Sequence, residues 1–113
     1  MLPQQEWKLV YYVTPAGKIP FQQWLESLTD DKARAAIESR MTRLQAGNFG
    51  TCEPVGYGVF ELKIYYGPGY RVYFGRKGKR VILLLCGGDK STQGKDIQTA
   101  RHYWRDFEKR KQT

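Results

Sequence analysis

Hydrophobic and polar positions follow two rhythms along this chain, one strand-like and one helical. Residues 7–13 (WKLVYYV) are rich in aromatic and β-branched side chains and stop at Thr14-Pro15-Ala16-Gly17, a turn signal. They predict a first strand over Trp7–Val13. From Pro20 the period lengthens: Phe21, Trp24, Leu25 and Leu28 recur at helical spacing, and proline suits a helix's first turn. This short helix ends by Thr29. Asp30 or Asp31 can cap a second helix whose apolar stripe is Ala33, Ile37, Met41 and Leu44, with Gly47 as its stop. Lys32 and Arg43 fall off that stripe and face solvent or a ligand. The two helices read as a hairpin.

Asn48 to Gly58, with Gly50, Pro54, Gly56 and Gly58, reads as loop. Three strands follow at Val59–Tyr65, Gly69–Arg76 and Lys79–Cys86, joined by Tyr66-Gly67-Pro68 and the Lys77-Gly78 turn. The run VILLLC is apolar on both faces and is expected to be central, covered on two sides. After Gly87-Gly88-Asp89 a last helix passes through Ile97, Ala100, Trp104 and Phe107 and frays in the basic tail Lys109–Lys111, read as a solvated helix end. The order β-α-α-β-β-β-α implies one small α+β domain over residues 1–113, with an antiparallel three-strand meander in its C-terminal half.

Strand alternation also sets a register. Phe60, Leu62 and Ile64 share one face with Tyr70, Val72 and Phe74 only if Leu62 pairs with Val72, because directly opposed residues point the same way. That pairing sets Lys63 opposite Arg71 and Glu61 opposite Tyr73. Two opposed cations repel unless an anion or Glu61 relieves them. A phosphate would do so, since arginine grips two oxygens and lysine adds a compact charge; the alternative is a solvated face with both side chains splayed. Arg71 is expected to be poorly buried.

Composition narrows the class. With 113 residues, 41% hydrophobic and 27% charged, the chain is neither a disordered tail nor a collagen-like fibre. No apolar run approaches the roughly 20 residues of a membrane span, and Met1–Glu6 carries no secretory pattern. Two cysteines without metal or CxxC spacing make a zinc site or disulfide framework unexpected, so no metal or cofactor is implied and a reducing, cytoplasmic setting is the default. Cys86 reads as core and Cys52 as loop. Nineteen Lys plus Arg against eleven Asp plus Glu leave +8, which favours polyanions such as nucleic acid, or an acidic protein partner. Eight tyrosines interleaved with cations suit base stacking beside phosphates, or simply fill a small core.

Gly87-Gly88-Asp89-Lys90-Ser91-Thr92 is a second anion candidate, since it leads from a strand into a helix and offers backbone N–H groups with Lys90, Ser91 and Thr92 as further donors. It lacks the Walker pattern, and an ordinary turn capped by Ser91 or Thr92 is the favoured reading. His102, the one histidine, reads as structural.

Glu61-Leu62-Lys63, Gly67-Pro68-Gly69-Tyr70-Arg71-Val72-Tyr73-Phe74 and Gly87-Gly88-Asp89-Lys90-Ser91-Thr92-Gln93 together resemble the RelE/ParE superfamily of type II toxin–antitoxin toxins. The nearest branch is that of phage-related addiction module killer proteins, called Gp49-like or HigB-like. The resemblance spans nearly the whole chain and implies a microbial-ribonuclease-like α+β fold. It implies a metal-independent mRNA endoribonuclease, acting on translating ribosomes and neutralised by a cognate antitoxin, acidic or of helix-turn-helix type. In that chemistry the 2′-hydroxyl attacks the adjacent phosphate and leaves a 2′,3′-cyclic phosphate and a 5′-hydroxyl. Arg71 matches the family's transition-state phosphate binder. Glu61 and Lys63 stand where relatives carry base or charge-stabilising residues, and Lys90 lies near a basic residue after the last strand. Tyr65, Tyr73, Arg76, Ser91 and Thr92 are the expected nucleic-acid contacts. The tyrosine or histidine that relatives place near the C-terminus is missing from Ser91–Asp96, so Tyr65, Tyr73, Lys90 and Asp96 stand as candidate acids. The superfamily also holds DNA gyrase poisons without nuclease residues, and a non-catalytic nucleic-acid-binding prophage protein is a further alternative.

Overall fold

A computed structural model describes residues 6–110; the readings made on Met1–Gln5 and on Lys111 lie outside the described residues. Strand β1 (Lys8–Tyr11) is shorter than the Trp7–Val13 run that announces it. Helix α1 (Pro20–Ser27) begins on its proline. Asp30 then caps α2 (Asp31–Gln45), its carboxylate accepting from the backbone N–H of Lys32 at 2.9 Å and of Ala33 at 3.3 Å. All four stripe residues of α2 are buried, and so is Arg40 between them. The strands β2 (Cys52–Pro54), β3 (Val59–Ile64), β4 (Tyr70–Lys77) and β5 (Val81–Asp89) follow, then a 3-10 turn (Lys90–Thr92) and α3 (Gln93–Arg110).

The strands form one mixed sheet in the order β1-β5-β4-β3-β2, with β1 parallel to β5 and every other pair antiparallel. Helices α1 and α2 cover one face, over β5 and β3, and α3 covers the other. Phe21, Ile37, Leu44, Leu62, Val72, Phe74, Ile82 and Leu84 fill the first layer. Tyr12, Val59, Tyr73, Leu83, Leu85, Ala100 and Trp104 fill the second. Strand β5 is interior and covered on both sides, as its double-faced apolar run requires, although β4 lies at the middle of the sheet.

Three features depart from the sequence expectation. Residues 52–54, read as loop, form an edge strand on β3, with Cys52 against Leu62, Glu53 against Glu61 and Pro54 against Phe60. Three residues are too few to show alternation, and the proline is tolerated because it sits at an edge. Strand β5 runs on to Asp89 rather than ending at Cys86. Gly87 and Gly88 are ladder residues whose missing side chains admit the Trp24 ring on one face and the Asp96 carboxylate on the other. Finally, the β4–β5 register moves from Tyr73–Cys86 to Phe74–Leu84, leaving Leu85 as an extra residue. This bulge turns Cys86 and Gly88 toward α3 and brings the start of that helix over the β3–β4 hairpin.

Candidate functional site

The β3–β4 ladder pairs Leu62 with Val72, Lys63 with Arg71 and Glu61 with Tyr73. Both cations therefore leave the same face of the hairpin, as parity demands. That face is covered rather than solvated. Glu61 is 2% exposed, and its Oε2 accepts from the Tyr73 hydroxyl at 3.0 Å and from the Gln93 side-chain amide at 2.9 Å. Arg71 Nε approaches the same oxygen at 3.5 Å without a hydrogen bond, and Arg71 Nη1 donates to the Gly69 carbonyl at 3.1 Å. Burial first, and then the Glu61 charge and its hydrogen bond, push the Tyr73 phenol far above its usual value, so it stays a neutral donor.

Lys63 Nζ lies 3.8 Å from Glu53 Oε1, with 26% of the lysine side chain exposed. The repulsion between Lys63 and Arg71 is thus relieved by two carboxylates of the chain itself, Glu61 for Arg71 and Glu53 for Lys63. Glu53 was invisible in the sequence because its strand was. Lys90 is exposed at the start of the 3-10 turn, and a Cβ on Gly69 would lie 3.8 Å from both Lys90 Cβ and Arg71 Nη1. The root of the Lys90 side chain and the Arg71 guanidinium therefore border the same space over Gly69. Glu61, Lys63 and Arg71 are neighbours on the β3–β4 ladder, and Lys90 borders Gly69 next to them. Such a group can hold a phosphate by charge, with Arg71 pre-oriented by Glu61 and Gly69.

A family model described as "Phage derived protein Gp49-like" matches residues 23–111. The chain belongs to that family. It is one associated with toxin–antitoxin toxins. An uncharacterized protein of Haemophilus influenzae is 49% identical over 83 residues, covering 74% of this chain and 84% of that protein. Every residue of the cluster lies within the span matched by the Gp49-like family.

Several expected contacts of the Gp49-like chain need correction. Tyr73 is fully buried, so its ring offers no face to a base and its hydroxyl is spent on Glu61. Arg71 is far from poorly buried, with 11% of its side chain exposed. Arg76 belongs to the opposite face, where its guanidinium sits 4.8 Å from the Trp7 ring centroid and 5.3 Å from that of Phe49. The 3-10 turn is capped neither by Ser91 nor by Thr92: Asp89 does it, accepting from Ser91 N at 2.8 Å and from Ser91 Oγ at 2.5 Å. Those hydrogen bonds, with the Arg71 charge as a smaller contribution, hold the Asp89 carboxyl below its ordinary value. A carboxylate already sits where a phosphate was expected, and Thr92 Oγ1 is turned to Asp96 at 2.5 Å. Tyr65, by contrast, is 79% exposed. His102 is exposed on α3 beside Tyr103.

Two contributors escaped the sequence reading besides Glu53. Gln93 stood in the quoted motif without a role and supplies a hydrogen bond to Glu61. Arg40 is buried in the C-terminal half of α2, its Nη2 donating to the Phe49 carbonyl at 3.1 Å. Among the described residues no group of three or more His, Cys, Asp or Glu is placed to hold a metal ion, and no helix is long and apolar enough to cross a membrane.

Proposed function

We propose that this Gp49-like protein is the toxin of a type II toxin–antitoxin pair and acts in the cytoplasm as a metal-independent endoribonuclease on ribosome-bound mRNA. The reading belongs to the RelE/ParE manner of cutting RNA. The observation that carries it is Arg71: a guanidinium held by Glu61 and the Gly69 carbonyl, with Lys63 across the ladder and Lys90 alongside. The 2′-hydroxyl gives its proton to solvent water as its oxygen bonds to phosphorus and the bond from phosphorus to the 5′-oxygen breaks. The added charge on the phosphorane oxygens meets Arg71, Lys63 and Lys90. Lys90, exposed and beside Arg71, is the group able to hand a proton to the departing 5′-oxygen. Glu61 is a positioning residue, because at 2% exposure it meets no 2′-hydroxyl. It fixes Arg71 and balances its charge until a phosphate arrives.

Purified protein, ribosomes and a defined mRNA in the presence of a chelator test this, with RNA ends mapped by primer extension and their chemistry by enzymatic end analysis. New 5′-hydroxyl and 2′,3′-cyclic phosphate ends are expected. Arg71→Ala should lower the rate by about 100-fold or more, the usual effect of removing one transition-state donor. Growth arrest with intact mRNA and DNA-damage signalling would instead identify a gyrase poison, and the absence of any arrest a non-catalytic binding protein.

A further inference from the structure

A second cationic feature lies beside the proposed nuclease cluster and shares only Lys63 with it. Between α2 and the end of β3 a cleft of about 490 Å³ is lined by Ser39, Arg40, Arg43, Thr51, Lys63 and Tyr65, among others, and none of its lining residues is acidic. Arg40 is 8% exposed, so more than nine-tenths of it is buried, yet its one hydrogen bond among the described residues is to the Phe49 carbonyl. Neither Arg40 nor Arg43 has an ion pair among the described residues. Gly50 lies directly under the Arg40 guanidinium, where a Cβ would overlap it. Burial, and then the charge of Arg43, make Arg40 harder to keep protonated than an ordinary arginine. A buried guanidinium facing a second arginine, with no carboxylate to balance either, is costly for the fold and well placed for an anion.

Tyr65 selects the kind of anion. Its ring is 79% exposed at the rim of the same cleft, an open π-face next to cations. Serine and threonine hydroxyls complete a lining suited to phosphate and sugar. Lys63 lines the cleft and is the ladder partner of Arg71, so the cleft adjoins the proposed nuclease cluster. We propose that this cleft is a subsite for the single-stranded RNA flanking the cleaved bond, with Arg43 and Arg40 on a backbone phosphate and Tyr65 stacked on a base. The proposal rests on the ribonuclease reading in one respect: the strand in the cleft is the one whose scissile phosphate lies at Arg71.

The probe is a fluorescein-labelled eight-nucleotide 2′-O-methyl RNA, which cannot be cut through its 2′-position, so binding is read whether or not the protein is a nuclease. Fluorescence anisotropy across a salt series compares the full chain with Arg43→Glu and Tyr65→Ala, both at exposed positions that leave the core intact. Tyr65→Ala should weaken binding at least about fivefold, the low end for loss of one stacked base. Arg43→Glu should weaken it further and reduce the slope of log K against log salt by about 0.7 or more, one lost phosphate contact on a single strand. Binding that depends on Arg43 and Tyr65 upholds the subsite even where no cleavage is found, a result that would defeat only the nuclease reading. Wild-type affinity and slope in both variants overturn the proposal, as does a wild-type protein that ignores the strand. Displacement of the probe by hexaglutamate at comparable concentration, abolished by Arg43→Glu, also overturns it and assigns the cleft to an acidic protein segment.

Discussion

Replacing Glu61 by glutamine isolates the charge of the buried carboxylate. The amide keeps the volume and still accepts from Tyr73 and Gln93, but it leaves Arg71 without the anion 3.5 Å from its Nε. Breaking a buried ion pair from one side costs about 3–5 kcal/mol. The contact lacks a hydrogen bond and 11% of the Arg71 side chain still sees water, so the lower end, about 3 kcal/mol, applies here. For a chain of 113 residues the unfolding entropy is about 0.24 kcal/mol/K, which makes the loss a fall of about 12 °C in Tm. Arg71→Ala should cost less, about 2 kcal/mol, because two neutral donors still hold Glu61. If the two side chains compensate one another, the double variant will be more stable than the sum of the single losses predicts, by at least about 1 kcal/mol. Urea midpoints of the four proteins at constant m-value give the cycle. Single-variant losses that add to within about 0.5 kcal/mol would refute the coupling, and with it Glu61's role in holding Arg71.

Three further outcomes follow from the packing. Gly75→Ala would push a methyl into the buried Trp104 ring and should lower stability by about 1–3 kcal/mol, seen as a reduced urea midpoint; an unchanged midpoint would mean that α3 is free to move away. Burial pushes the Cys86 thiol up to about 12, so in a Cys52→Ser background it should resist a disulfide reagent at pH 8 until the protein is unfolded, and prompt reaction in native buffer would contradict its placement. The Tyr12 phenol is raised to about 12 by burial and by its 2.6 Å hydrogen bond to Asp106. Its folded pKa thus lies above the unfolded value of about 10, so its contribution is complete below pH 10 and disappears as pH rises to 12. Tyr12→Phe should flatten the alkaline loss of stability in that window, and a slope equal to that of the wild type would count against the assignment.

Alternation along two strands was enough to place Lys63 across from Arg71, because side chains alternate strictly and one face of the hairpin is apolar. The stripe of α2, its Asp30 cap and the double-faced β5 were legible for the same reason: each is a local repeat that has one way to bury its carbon. What covers the other face of the hairpin is not a local property. An extra residue at Leu85, an edge strand too short to show a period and a glycine pair read as a turn decide it together. They bring α3 onto the cationic face, bury Glu61 and Tyr73, and supply Gln93 and Glu53 as partners. Periodicity tells which residues share a surface. Whether that surface meets water or a helix depends on contacts between segments far apart in the chain, and with it depends whether a carboxylate acts on a substrate or on its neighbouring arginine.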